Sequence, residues 1–171
     1  MDWHEGEEVM HKRLRVPPLD NPTVPTLSQQ AVSMLQRAPL IAIGTLDADS
    51  NPWTTIIGGE SPLSQPLARD IIGIKGSVAA RHDPVIEILL GNEATGEVVR
   101  EEGSGRMIGG LAIDLQTRKR VKLYGRMVAG ALGSKDDDEQ ASSGQTDVQL
   151  VARIEQTLGE HDMPHYLNFG S

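Results

Sequence analysis

Three groups of basic residues stand out in an acidic chain: Lys75, Arg81-His82 and Arg118-Lys119-Arg120. Successive cations repel one another unless an anion sits between them. Arg81-His82 also precedes Asp83-Pro84, which reads as a helix start. A helix N-terminus beside a cation is suited to binding an anion. Each group has a plainer reading as a solvated charged turn. Taken together, at the ends of expected strands, they point to a ligand that carries a phosphate.

Other chemistries find less support. The chain has no cysteine, which removes disulfides, thiolate metal sites and thiol nucleophiles. Of the five histidines, His161 and His165 stand four apart, but Pro164 between them argues against a shared helix face. His4-Glu5-Gly6-Glu7 lacks a third ligand at regular spacing and reads as part of an exposed polar arm, so no metal site is expected. No Gly-x-Ser-x-Gly elbow is present, and Gly103-Ser104-Gly105 lies between charged stretches. Neither a P-loop nor a dinucleotide fingerprint occurs. No conventional catalytic dyad is visible, so the catalytic residues are left unassigned.

The elements that must position the cations follow from patterning. Residues 1–25 carry Pro17, Pro18, Pro22 and Pro25 and read as an arm with at most one helical turn near Glu5–Lys12. Residues 26–171 read as one domain. Thr26 and Gln29 form a capping-box pattern ahead of Leu27, Ala31, Met34, Leu35 and Ala38, and Pro39 ends that helix. Leu40–Leu46 and Trp53–Ile57 flank a dense turn and predict a hairpin. Glu60–Arg69 reads as loop, Asp70–Ile74 as a third strand, and Asp83-Pro84 opens a helix that stops at Gly91. Met107–Leu115 and Arg118–Val128 predict a second hairpin, and Asp147–Thr157 a last strand. Ser134–Thr146 is acidic and rich in small polar residues, and is expected as a flexible loop. About six strands and two helices suggest a closed or nearly closed antiparallel barrel with flanking helices.

Composition narrows the partners. With 24 acids against 16 bases the net charge is -8, which opposes general binding to nucleic acid or to an anionic membrane. No apolar run reaches the length of a membrane span, and the first residues lack the basic and apolar regions of a secretory signal. The expectation is a cytoplasmic protein. Aromatic residues make up only 3%, so the core must come from Ile, Leu, Val, Ala and Met.

Several stretches, in order, resemble one family. Leu40–Thr55 (LIAIGTLDADSNPWTT) is similar to the opening hairpin of the pyridoxamine 5′-phosphate oxidase-like, FMN-binding split β-barrel proteins. Gly109–Gly125 is similar to the Thr-Arg-Arg-Arg hairpin of one branch of that family. Trp3–Glu7 resembles that branch's Phe-His-Glu-Gly-Glu segment, His82-Asp83-Pro84 its helix start, and Gly159–Tyr166 its closing segment. The resemblance covers nearly the whole chain. It implies a mainly β fold, a six-stranded antiparallel split β-barrel of the FMN-binding type with two or more flanking helices, paired as a homodimer. It implies FMN in a cleft at the dimer interface. The matching positions are Trp53, Thr54 and Thr55, then Lys75, Arg81 and His82, and Arg118, Lys119 and Arg120.

Two departures refine what is implied. The chain ends Tyr166–Ser171 without the Arg-x-His segment that holds substrate in the true pyridoxamine-phosphate oxidases. The family's Arg-Lys pair stands here as Arg81-His82, and a neutral imidazole is the weaker anion ligand. The implied function is an FMN-dependent oxidoreductase acting on a small molecule other than pyridoxamine phosphate, with NADH or NADPH as electron donor. The alternative is a non-catalytic flavin-binding or partner-binding barrel.

Overall fold

The structure is a computed structural model, and it describes residues 4–16, 23–60, 62–79, 83–91, 96–101, 103–114, 119–133 and 146–159. Eleven elements follow in chain order. They are α1 (Glu5–Leu14), α2 (Gln29–Arg37), β1 (Leu40–Leu46), β2 (Pro52–Gly58), β3 (Ser64–Pro66) and β4 (Ile71–Val78), then α3 (Pro84–Leu90), β5 (Val98–Arg100), β6 (Met107–Ile113), β7 (Arg120–Leu132) and β8 (Thr146–Gly159).

Six strands close a ring in the order β2-β1-β6-β7-β8-β4, every pairing antiparallel. The ring closes through a single pair, Gly58 of β2 opposite Ser77 of β4. The cause is β3, which takes the edge of β4 from Ile72 to Ile74 that β2 would otherwise occupy. Below the seam, Lys75 N donates to Leu63 O. The seam requires glycine. A side chain at Gly76 would strike the Gly58 carbonyl and come within 2.7 Å of Ile57 Cγ2 and Leu63 Cδ1. The expected six-stranded antiparallel barrel is present; it parts along β2 and β4 and carries two strands beyond the ring.

Period-two alternation fills the interior. Ile41 and Ile43 of β1, Ile57 of β2, Ile72 and Ile74 of β4, and Leu123 and Met127 of β7 all point inward. Val148, Leu150, Ala152 and Ile154 of β8 do the same. Among the described residues no aromatic side chain is buried in this core, which matches its expected composition. Among the described residues no helix is long and apolar enough to cross a membrane.

Several expectations need correction. The arm holds a ten-residue helix, α1, rather than one turn. His4 Nδ1 accepts from Gly6 N at 3.1 Å while Glu7 Oε2 accepts from His4 N at 3.0 Å, so the polar motif is a reciprocal cap. α2 is capped by Ser28, not Thr26, because Leu27 N is drawn off to Arg69 O and Ser28 Oγ accepts from Ala31 N. Glu60–Arg69 contains β3, and β5 was not expected at all. The third expected strand runs on to Val78, which places Lys75 inside β4 rather than after it. The segment 134–145 lies outside the described residues, and Thr146 already belongs to β8.

Candidate functional site

Where β2 leaves β4, a cavity of about 490 Å³ opens, lined by Gly59, Glu60, Lys75, Gly76, Ser77 and Asp147 among others. That volume is in the range of small-molecule pockets. The seam shapes it. Ser77 of β4 pairs with Gly58 of β2 on one side and with Asp147 of β8 on the other, which sets Lys75, Ser77 and Asp147 in one lining. Lys75 is exposed and makes no ion pair among the described residues. The lining thus offers an ammonium, a hydroxyl and two carboxylates. A ring edge that alternates acceptors and donors fits such a set. A doubly charged phosphate does not, because Glu60 and Asp147 outweigh Lys75.

On the other side of the seam, β2 runs free. From Trp53 to Ile57 its far edge pairs with no described strand, so unpaired backbone donors and acceptors face the opening. Thr55 Oγ1 donates to Asp83 Oδ2, which ties β2 to the entrance of α3. Asp83 Oδ1 also accepts from Val85 N at 2.9 Å and Ile86 N at 3.2 Å. The first donors of α3 are therefore filled by its own cap, and an anion at this corner must be held by side chains.

Thr54 and Thr55 point to opposite faces, as successive strand residues must. Thr55 faces Asp83, while Thr54 is exposed on the outside of the barrel. The two hydroxyls do not meet one ligand edge. Trp53 is 44% exposed, and its position is fixed from the β1–β2 turn. Asp47 Oδ2 accepts from Trp53 Nε1 at 2.9 Å and Asn51 Nδ2 at 3.1 Å, and Oδ1 accepts from Asp49 N and Asn51 N. The Trp53 indole and the Asn51 amides hold the Asp47 carboxyl below the usual aspartate range.

Lys119 and Arg120 lie elsewhere on the barrel. Arg120 pairs with Ile113 at the start of β7, after a hairpin closed by Asp114 N donating to Lys119 O. Register carried across β6 and β1 puts Arg120 level with Leu40 and Gly58. Three strand spacings of roughly 4.8 Å put it about 14 Å around the wall from β2. Arg81, His82 and Arg118 lie outside the described residues. Within one chain, then, Lys75 reaches the cavity and Thr55 the α3 entrance, while Lys119 and Arg120 join neither. Sequence reasoning missed Glu60, Ser77, Asp147 and Asp47. Only Asp47 carried a local signal, the Asp and Asn of its turn.

No protein-family profile matches the chain, and no curated protein matches it. Solved structures do. A proposed pyridoxamine 5′-phosphate oxidase of Lactobacillus delbrueckii is 16% identical, with a TM-score of 0.46 over 79% of this chain and 95% of that one. An F420 reductase is 10% identical, with a TM-score of 0.44 over 73% and 93%. The heme storage protein HutZ of Vibrio cholerae is 12% identical, with a TM-score of 0.41 over 78% and 94%. The chain is thus similar to split-barrel structures that include proposed pyridoxamine 5′-phosphate oxidases, the family its sequence motifs resemble.

Proposed function

We propose that this split barrel binds FMN at the seam and is an FMN-dependent oxidoreductase, as a cytoplasmic homodimer, on a small molecule other than pyridoxamine phosphate. The observation that carries the reading is the cavity where β2 and β4 part, with Lys75 on its wall and an unpaired strand edge above it. Lys75 would donate to the carbonyl edge of the ring and stabilise negative charge there. The open backbone of Trp53–Ile57 would orient the ring, and Trp53, held by Asp47, would shield it from water. Bound FMN supplies the electron chemistry, which explains a site without a catalytic dyad. NADH or NADPH would be the electron donor.

The phosphate needs cations that the cavity lacks. Arg81 and His82 precede α3, and Arg118, Lys119 and Arg120 of a second copy would complete the set across a two-fold axis. The test is to purify the protein, identify any bound small molecule by mass, and titrate the ligand-free protein with FMN. Yellow protein bleached by NADH or NADPH is the expected result. No FMN binding up to about a hundred micromolar, a free energy weaker than about 5.5 kcal/mol, would end the flavin reading. A second reading, a barrel that binds a flavin or a protein partner without turnover, draws on the two carboxylates in the cavity and the filled donors of α3. Colour without bleaching would favour it.

A further inference from the structure

We propose that the outer face of β6, β7 and β8 binds single-stranded nucleic acid, with cations on its phosphates and Tyr124 against a base. The proposal uses none of the residues assigned to flavin, and it starts from alternation. Val121, Leu123 and Met127 of β7 are buried, so Lys122, Tyr124 and Arg126 face outward. Ala152 and Ile154 of β8 are buried, so Arg153 between them faces outward too. Arg126 and Arg153 stand directly opposite each other on the two strands. Like charges in that relation destabilise a sheet. Glu155 lies 3.5 Å from Arg126 and offsets one of them. Arg153 and Lys122 are exposed and make no ion pair among the described residues. The face therefore holds a surplus of positive charge in a chain of net charge -8. The acids of α1, of the β1–β2 turn and of the seam lie elsewhere, and salt screens charges beyond about 8 Å.

Spacing and surroundings select the anion. Lys122 and Arg126 are four residues apart on one strand, about 13 Å, which suits a ligand whose charge repeats along its length. A stacked nucleic-acid strand carries one charge per about 3.4 Å. Tyr124 stands midway between the two cations. Arg126 Cζ lies 6.0 Å from its ring centre, and Arg126 Nη2 donates to its hydroxyl at 3.3 Å, so the ring is held. Across β6 and β1 the row of Tyr124 continues as Gly109 and Gly44. An added Cβ at Gly109 would meet only the Gly44 carbonyl, at 3.9 Å, so the floor beside the ring is open. A ring beside an open floor, with a guanidinium next to it, can stack an unpaired base. An acidic peptide would use the cations but leave the ring and the floor idle. A duplex keeps its bases from both.

Fluorescence anisotropy of a labelled oligothymidylate, titrated with the full chain, tests this. Binding is expected at low salt and should weaken about tenfold or more between roughly 50 and 200 mM salt, as three phosphate contacts require. Lys122→Gln and Arg153→Gln should each flatten the salt dependence, lowering the log–log slope by about 0.7. Tyr124→Ala should weaken binding about five- to a hundredfold with that slope unchanged, and Tyr124→Phe should keep it. The phenylalanine variant separates a lost ring from a lost fold. No binding at about 50 mM salt and about a hundred micromolar protein overturns the proposal. Equal binding of an oligoglutamate matched in charge overturns it in favour of an acidic protein partner. Equal binding of a duplex overturns it in favour of charge attraction alone. Unchanged binding by Tyr124→Ala, or a loss in Tyr124→Phe as large as in Tyr124→Ala, overturns it as well.

Discussion

Asp47 holds Trp53 in place, and its titration should be readable in the indole. Its folded-state pKa is lowered, so its contribution to stability is fully present above the unfolded value of about 3.9 and is lost as pH falls through the lower folded value. In a Trp3→Phe background Trp53 is the single tryptophan. Its emission should hold constant from neutral pH down through the ordinary aspartate range, about 4, and change only below it. Asp47→Ala should give the changed emission already at neutral pH; an unchanged spectrum would mean that the bond does not set the ring. Lys75 and the arginines divide by ligand part. Lys75→Ala should weaken FMN and riboflavin alike, because the proposed site sets Lys75 against the ring. Arg81→Ala and Arg120→Ala should weaken FMN far more than riboflavin, which lacks the phosphate. A charge-assisted hydrogen bond of roughly 1.5–3 kcal/mol corresponds to about a ten- to hundred-fold loss. Equal losses of the two ligands in the arginine variants would remove these groups from the phosphate site.

At the scale of elements, the β2–α3 tie and the seam set the site. Asp83→Ala removes both the cap of α3 and the acceptor of Thr55, and should cost about 1–2 kcal/mol in urea unfolding. Thr55→Val keeps the cap and should cost less; equal costs would show that the tie carries the effect. Gly76→Val drives a side chain into the Gly58 carbonyl and should destabilise by about 1–3 kcal/mol or more, as overpacking does. The start of α3 was legible because Asp-Pro-Val-Ile caps itself locally. The inward faces of β7 and β8 were legible because their alternation runs over many residues. β3 and β5 were not, since three residues carry no period and both exist only through their neighbours β4 and β7. Thr26 and Ser28 are equally good caps by type, and a bond from Leu27 to distant Arg69 decides between them.

For the molecule as a whole, light scattering at micromolar concentration should give near twice the 18.5 kDa chain mass, and a value near 18.5 kDa would remove the dimer. The sequence could say which residues were cationic, but not which would meet. Lys75 and Arg120 look alike along the chain, and only the register around the ring sends one to the cavity and the other two strands farther along the wall. The two sides of that ring are also unequal in strength. β7 and β8 share a long ladder, whereas β2 and β4 meet at one pair. Amide hydrogen exchange should therefore grade around the circumference. Protons at Gly58 and Ser77 should leave by local opening of the seam, and those at Leu123 and Leu150 only when the whole barrel unfolds. The wall beside the cavity is then its least protected stretch, so a ligand bound there would slow exchange at the seam first.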